Sequence, residues 1–388
     1  MDERTLCERL ISYETSTVEG IRAAQGFVKG WLEAREIEVR HTIHNGLPVL
    51  SAQVGALTGP TLVFHGHVDV VPGRPEQFDP RVEGDRLIGR GAYDMKGGLA
   101  AMMCALCDVA QNASVGVRFM CAPDEESEDV DTRSTDVLVD EGFKGDFAIT
   151  GEPTDMHVGV EAKGVLAIRV LVHGRAAHGS TPWLGDNAIT KAIEVFRRIE
   201  SLPFSRESSE MFDRPSINLG RIAGGDAINK VADTCTMELD IRYLPNQDPG
   251  EILAQVRGIP DIEVSKTFWR IPAQVSRRNP YVLALCDAVS RSTQGEAMSV
   301  GRDGASDAVS FLSAGIPAVE FGPTGAGHHG PDEWVSIASM ARYRKALRDF
   351  VIELPRWLEP HHPEPEVPGR PAAGTGGPLR AVQGGLEP

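Results

Sequence analysis

Long apolar runs are missing from this 388-residue chain: none approaches the ~18–20 consecutive apolar residues that a membrane helix needs. The opening Met1-Asp2-Glu3-Arg4 lacks the basic-then-apolar pattern of a secretory signal, so a cytoplasmic location is expected. Cations are also in short supply. Lys plus Arg number 39 against 55 Asp plus Glu, a formal charge of −16. Such a surface repels phosphate backbones, and no basic stripe offsets it, so neither nucleic acid nor membrane is an expected partner. Cysteine is sparse and scattered (Cys7, Cys104, Cys107, Cys121, Cys235, Cys286). Cys104 and Cys107 form a CxxC inside Ala-Ala-Met-Met-Cys-Ala-Leu-Cys, an apolar stretch that reads as buried helix. No second CxxC completes a zinc knuckle, so small buried residues in a reducing compartment are expected.

The hydrophobic content of 41% and charged content of 24% are those of a globular protein. The length exceeds one ordinary core, which favours two domains. Leu6, Leu10, Ile21, Phe27, Val28 and Trp31 fall at helical spacing and predict two helices separated by residues 12–17. Strands are expected at 48–54 and 61–64, the second breaking at His65-Gly66-His67. A helix at 96–110 and strands at 115–121 and 147–150 follow. This alternation predicts an α/β domain with a largely parallel sheet.

The pattern changes near Gly164. A strand at 165–172, a helix at 186–199, strands at 216–222 and 234–243, a helix at 249–257 and a strand at 262–267 spell β-α-β-β-α-β, the ferredoxin-like split unit. From about 272 the α/β character returns: helix 280–292, strand 297–300, helix 307–314, strand 318–321 and helix 337–354. The expected division is therefore 1–163 and 272–354 as one domain and 164–271 as an insertion into it. The Pro- and Gly-rich residues 355–388 are expected to be a disordered tail, with His361 and His362 solvated there.

Five polar clusters interrupt apolar strand ends. In His65-Gly66-His67-Val68-Asp69, a histidine two residues before an aspartate lets the imidazole bind a metal while the carboxylate orients the ring. Gly89-Arg90-Gly91-Ala92-Tyr93-Asp94-Met95-Lys96-Gly97-Gly98 places an aspartate, able to bridge two cations, in a glycine-dense loop opening a helix. It is not a phosphate loop, because the GxxxxGK[ST] spacing is absent. In Asp124-Glu125-Glu126-Ser127-Glu128, adjacent glutamates point apart, so one can bind metal while the other handles a proton. Gly151-Glu152-Pro153 and Gly325-Ala326-Gly327-His328-His329-Gly330-Pro331-Asp332-Glu333-Trp334 complete the set. Singly, each has a plain alternative: a surface turn, or a solvated acidic face. Together they supply two histidines and three carboxylates, the mixed ligand set of a two-metal hydrolytic site.

HGHVDVVPG, GRGAYDMKGG, PDEES, GEPT and HHGPDEW, in that order, resemble the metallopeptidase family of acetylornithine deacetylase, succinyl-diaminopimelate desuccinylase, aminoacylase and bacterial glutamate carboxypeptidase. The resemblance extends over about residues 5–354. It implies a zinc-exopeptidase-like catalytic α/β domain with an inserted ferredoxin-like dimerisation domain. It also implies two Zn2+ per subunit, with Co2+ or Mn2+ as substitutes. Asp94 would bridge the metals, His67 and Glu152 completing one and Glu126 and His329 the other. Asp69 would support His67, and Glu125 would be the general base. His329 is preferred to His328 because the family ligand is followed by two variable positions, an acid or amide, and then Glu. His65 is expected to be structural.

In the insertion, Gly174-Arg175-Ala176-Ala177-His178-Gly179-Ser180 resembles the stretch whose histidine stabilises the oxyanion in a partner subunit's site, so a homodimer through the inserted domain is implied. Asn229, in Gly224-Gly225-Asp226-Ala227-Ile228-Asn229, would contact substrate. Arg242 would grip the substrate carboxylate with its fork, an ion pair within the strand being the rival role. The implied reaction is hydrolysis of the amide of an N-acyl (succinyl or acetyl) amino acid bearing a free carboxylate. The alternatives are a dipeptidase or carboxypeptidase on the same scaffold, or a non-catalytic metal-binding or interaction protein. The presence of every ligand and of Glu125 argues against the last. Ser127-Glu128-Asp129-Val130-Asp131 departs from the family, where many relatives carry a glycine turn.

Overall fold

The computed structural model describes residues 2–56, 58–127, 132–304 and 308–359. In chain order it begins with α1 (Glu3–Ile11), α2 (Val18–Glu33), β1 (Val39–His44), β2 (Leu47–Gly55) and β3 (Thr61–His67). β4 (Arg81–Glu83), β5 (Arg86–Ile88), α3 (Gly97–Val109), β6 (Gly116–Ala122), α4 (Ser134–Asp140), β7 (Phe147–Thr150) and β8 (Val158–Ala162) follow. Next come β9 (Gly164–His173), α5 (Ala188–Ile199), β10 (Ser216–Gly224), β11 (Thr234–Tyr243), α6 (Pro249–Arg257) and β12 (Ile262–Arg270). β13 (Ala273–Gln274), α7 (Pro280–Thr293), β14 (Ser299–Arg302), α8 (Ala308–Ser313), β15 (Ala318–Glu320), β16 (Gly325–Ala326), β17 (Trp334–Ser336) and α9 (Ile337–Leu358) complete the described chain.

The large sheet has the order β1-β2-β6-β3-β7-β15-β8-β13, with β14 beside β8. Its centre, β6-β3-β7-β15, is parallel, as the sequence leads one to expect. The flanks are mixed: β1–β2, β2–β6, β15–β8 and β8–β13 are antiparallel, and β14–β8 is parallel. A parallel centre must be covered on both faces. On one face α3 is buried at every residue from Gly97 to Leu106 and packs against β3, α1 and α9. Burying Leu99, Met102, Met103 and Leu106 completely contributes about 1.5–3 kcal/mol per side chain. α8 and α4 cover the other face through Phe311, Leu138 and Val139. All six cysteines are free thiols.

The chain leaves this sheet at Ala162 and returns at Ala273, and those two residues are paired to each other. Between them lies a separate antiparallel sheet, β10-β11-β9-β12. Leu166, Ile168, Val170 and Val172 of β9 point into its core. α5 closes that core with Ala188, Ala192, Val195 and Ile199, one apolar stripe at helical spacing. The observed order is β-α-β-β-α-β. A third sheet, β16-β17-β5-β4, joins two distant segments. Among the described residues, no helix is long and apolar enough to cross a membrane.

Several boundaries differ from the sequence reading. β3 does not break at His65 but continues through His67, paired with β6. The strand tolerates His65 because Thr150 Oγ1 and Thr135 Oγ1 hold its ring nitrogens at 3.2 and 3.0 Å. The strand expected at 297–300 is Ser299–Arg302. The helix expected from 186 starts at Ala188, where the Asn187 side chain accepts from the Ile189 N–H as its cap. The expected tail begins too early, because α9 carries Pro355 and runs to Leu358, with Trp357 and Leu358 packed on the core. Residues 360–388 with His361 and His362, Glu128-Asp129-Val130-Asp131, and Asp307 lie outside the described residues. β1, β4, β5, β8, β13, β16, β17 and α4 were not expected, being short or, like β1, largely polar.

Candidate metal centre

The parallel strands β6, β3 and β7 lie side by side and end together, which gathers side chains from three separate stretches at one sheet edge. His67 is the last residue of β3, Glu125 and Glu126 follow β6, and Glu152 follows β7. Asp94 arrives in the kinked segment Ala92–Lys96 that precedes α3, where it and Met95 leave helical geometry, and its peptide bond to Met95 is cis. His329 stands in the loop between β16 and β17 at φ 58°, a left-handed conformation that costs a non-glycine residue about 1–3 kcal/mol.

His67 is fully buried. Its Nδ1 lies 3.0 Å from the Asp69 carbonyl oxygen and 3.4 Å from the Asp69 carboxylate. Its Nε2 faces Asp94 Oδ1 at 3.2 Å and Glu152 Oε1 at 3.7 Å. The other Asp94 oxygen meets His328 Nε2, and lies 3.5 Å from His329 Nε2. His329 Nε2 also contacts Glu126 Oε1 at 2.9 Å. The Glu126 backbone N–H donates to Asp69 Oδ2 at 2.7 Å, so one aspartate braces both the histidine and the glutamate. Asp94 is therefore the common member of two groups, His67–Asp94–Glu152 and Asp94–His328–His329.

The balance of protons suits a cation. Glu152 Oε1 is buried without a hydrogen-bond partner, a costly state for an oxygen of a carboxylate. Burial, followed by the Asp94 charge, holds the Glu152 carboxyl well above the usual range. Burial opposes charge on His67, yet its hydrogen bonds to Asp69 and Asp94 prevail and raise its pKa well above the ordinary value. Burial likewise opposes charge on Asp94, but the hydrogen bonds from His328, His329 and His67 hold it well below its usual value. Contacts with Asp94 and then Glu126 raise His329 to about 10. Imidazoles and clustered carboxylates in this number are what a divalent metal replaces protons to bind.

The sequence reading did not assign a role to Glu333. Its carboxylate is almost wholly buried and accepts from the backbone N–H of Gly91, Tyr93 and Asp94, each at 3.0 Å. Arg90 Nη1 pairs with it at 2.9 Å, and Arg90 Nη2 donates to the His329 carbonyl at 3.2 Å. This clamp fastens the Asp94 turn to the His329 loop. Its signal was available in the two motifs, an arginine four residues before Asp94 and a glutamate four after His329. Lys96, also buried, donates to the Tyr13 carbonyl at 3.1 Å, and burial brings its pKa down to about 7.

Glu125 stands beside the cluster, 3.6 Å from Arg133 Nη1, and its charge is felt by Glu152. The residues named in the insertion lie elsewhere. Gly179 N–H donates to the Asn229 carbonyl at 2.7 Å and His178 bridges to Lys230, so His178 and Asn229 are neighbours at one end of the small sheet. His178 Nδ1 accepts from the Ser180 N–H at 3.1 Å and lies 2.8 Å from Ser180 Oγ. Arg242 Nε bonds both Asp240 carboxylate oxygens at 3.0 Å, the contact of its rival role. Among the described residues, none of the three hydrogen-bonds to the metal ligands named above.

A family model described as peptidase family M20/M25/M40 matches residues 63–353. Succinyl-diaminopimelate desuccinylase of Wolbachia pipientis is 27% identical over 383 residues, covering 90% of this chain and 93% of that protein. An M20 family metallo-carboxypeptidase from Sulfolobus solfataricus superposes with a TM-score of 0.76 at 20% identity, covering 92% of this chain and all of the other. A dinuclear metal-binding peptidase from Bacillus subtilis gives 0.65 at 16% identity, with 90% and 98% covered.

Proposed function

The chain belongs to peptidase family M20/M25/M40 and is a metal-dependent hydrolase of amide or peptide bonds; we propose that it removes a succinyl or acetyl group from the nitrogen of an amino acid bearing a free carboxylate. The observation that carries this reading is the convergence of His67, Asp94, Glu126, Glu152 and His329 on one strand edge. The choice of acyl group rests on the curated relatives, which are desuccinylases at 27–29% identity.

Two zinc ions are the proposed complement, His67, Asp94 and Glu152 holding one and Asp94, Glu126 and His329 the other. When bound, such a pair supplies Lewis acidity, polarising the scissile carbonyl and bringing the pKa of water toward ~7. Asp69 keeps the His67 ring in register. Glu125 takes the proton of the attacking water on its carboxylate and later returns it to the departing amine nitrogen. His178, reaching across from a second copy, donates to the carbonyl oxygen as negative charge builds there. Asn229 contacts the substrate, and Arg242 exchanges Asp240 for the substrate carboxylate. The enzyme is proposed to act as a homodimer through the inserted sheet, in the cytoplasm, where six free thiols stay reduced.

The test is a panel of N-succinyl-diaminopimelate, N-acetylornithine, other N-acyl amino acids and simple dipeptides, offered to metal-loaded enzyme. Highest kcat/KM on an N-succinyl or N-acetyl substrate is expected. Faster cleavage of dipeptides would move the chain to the peptidase reading.

A further inference from the structure

Asp94, Glu152 and His329 reach the cluster on three separate segments, and one carboxylate outside the cluster joins all three. Asp155, three residues after Glu152, accepts through Oδ1 from the Tyr93 hydroxyl at 3.0 Å and from the Gly325 N–H at 3.4 Å. Tyr93 immediately precedes Asp94, and Gly325 opens β16, four residues before His329. The Tyr93 ring lies close against that strand: a Cβ on Gly325 would stand 2.5 Å from Tyr93 Cδ2. The same ring meets the His328 imidazole edge-on, with 6.4 Å between centroids.

The backbone around Asp155 is held in place by its neighbours. Asp155 and Met156 are consecutive non-glycine residues at φ 55° and 63°, a left-handed region that Asp tolerates and Met rarely adopts. The Gly322 N–H donates to Thr154 Oγ1 at 2.9 Å, and the Met156 N–H donates to the Gly322 carbonyl at 3.0 Å. The loop is thus fastened to the chain just after β15 on both sides of Asp155. Met156 is buried in the main core. These contacts shape the loop without the Asp155 carboxylate, which belongs to an exposed residue and yet turns back to Tyr93.

We propose that Asp155 is a positioning residue for the metal centre, setting the separation of Asp94, Glu152 and His329 through Tyr93 and Gly325. The Glu333 clamp holds Tyr93 by its N–H, and Asp155 holds it by its hydroxyl, so both ends of the residue before Asp94 are fixed. Ligands restrained in this way bind a cation more tightly, because less ordering is left for the moment of binding. This inference rests on the metal-centre reading above and not on the choice of acyl group.

The experiment compares the parent with Asp155→Gly, Asp155→Asn, Tyr93→Phe and the double variant Asp155→Gly/Tyr93→Phe. Glycine keeps the left-handed backbone and deletes the carboxylate, whereas asparagine keeps the backbone and an acceptor oxygen. Co2+ is titrated into metal-free protein against a chelator, and its visible spectrum reports the ligand geometry. Urea unfolding of the metal-free protein is measured beside it. Asp155→Gly and Tyr93→Phe should each lower Co2+ affinity roughly 10-fold and alter the spectrum, the double variant losing no more than Asp155→Gly. The metal-free unfolding midpoint of Asp155→Gly should stay near the parent's, as for most exposed side chains, and Asp155→Asn should bind Co2+ almost as the parent does. Parental affinity and spectrum in both single variants overturn the proposal, and so do additive losses in the double variant. A fall in metal-free stability large enough to account for the lost affinity overturns it as well, since Asp155 would then only support the fold. If the parent itself takes up no Co2+, the metal-centre reading fails and this role falls with it.

Discussion

His67 and Glu152 stand 3.7 Å apart, and both have pKa values raised well above their ordinary ones. Each therefore holds its proton to higher pH than usual, and a divalent ion must displace it. Metal affinity should weaken as pH falls through neutrality, with protons released on binding. Zinc titration at pH 6 and pH 8 in buffers of different ionisation enthalpy measures both; equal affinity without proton release would contradict the assignment. Glu125 makes a separate prediction. It binds no metal in this reading, so Glu125→Ala should keep its zinc while losing about 10²–10⁴ in kcat, the usual worth of a general base. Near-full activity with metal retained would remove it from the mechanism.

Strands β6, β3 and β7 set the distances between ligands, and the Asp94 turn is held to them by α3. Gly98, in the first turn of α3, permits this approach: a Cβ there would lie 2.4 Å from the Gly151 carbonyl oxygen, one residue before Glu152. Gly98→Ala should push the helix from β7 and separate Asp94 from Glu152. The expected result is weaker metal binding at near-normal helix content, read by metal analysis beside circular dichroism. The Glu333 clamp joins β17 to the same turn. Glu333→Ala leaves Arg90 buried without its carboxylate, and breaking such a pair costs about 3–5 kcal/mol. Denaturant unfolding measures that loss, and a shift below about 1 kcal/mol would mean that the clamp adds little.

The small sheet gathers His178 and Asn229 at one end, apart from the cluster around Asp94. If a second copy delivers His178, two inactive homodimers can repair each other. Mixing and refolding Glu125→Ala with His178→Ala should restore about a quarter of parental activity, since half the dimers are hybrids with one intact site each. No recovery, with hybrid dimers demonstrated, would place His178 outside the active site.

The parts of this protein legible along the chain are those governed by neighbours in sequence. Apolar spacing marked α1 and α2, apolar stretches marked α3 and the central strands, and the β-α-β-β-α-β order marked the insertion. The order of polar clusters at strand ends pointed to metal chemistry and to the family. What could not be read there depends on groups far apart in the chain. His65 sits inside a strand because Thr135 and Thr150 satisfy it. Glu333 becomes a clamp because β17 pairs with β5, and α9 outlasts its proline because Trp357 and Leu358 find a core to pack on. Arg302 meets Glu320 across Gly159 because β14, β8 and β15 lie side by side. Local pattern specifies which segments form and which chemistry they carry. Pairing of distant strands fixes which charges meet, since Coulomb and hydrogen-bond energies depend on separation in space and not along the chain.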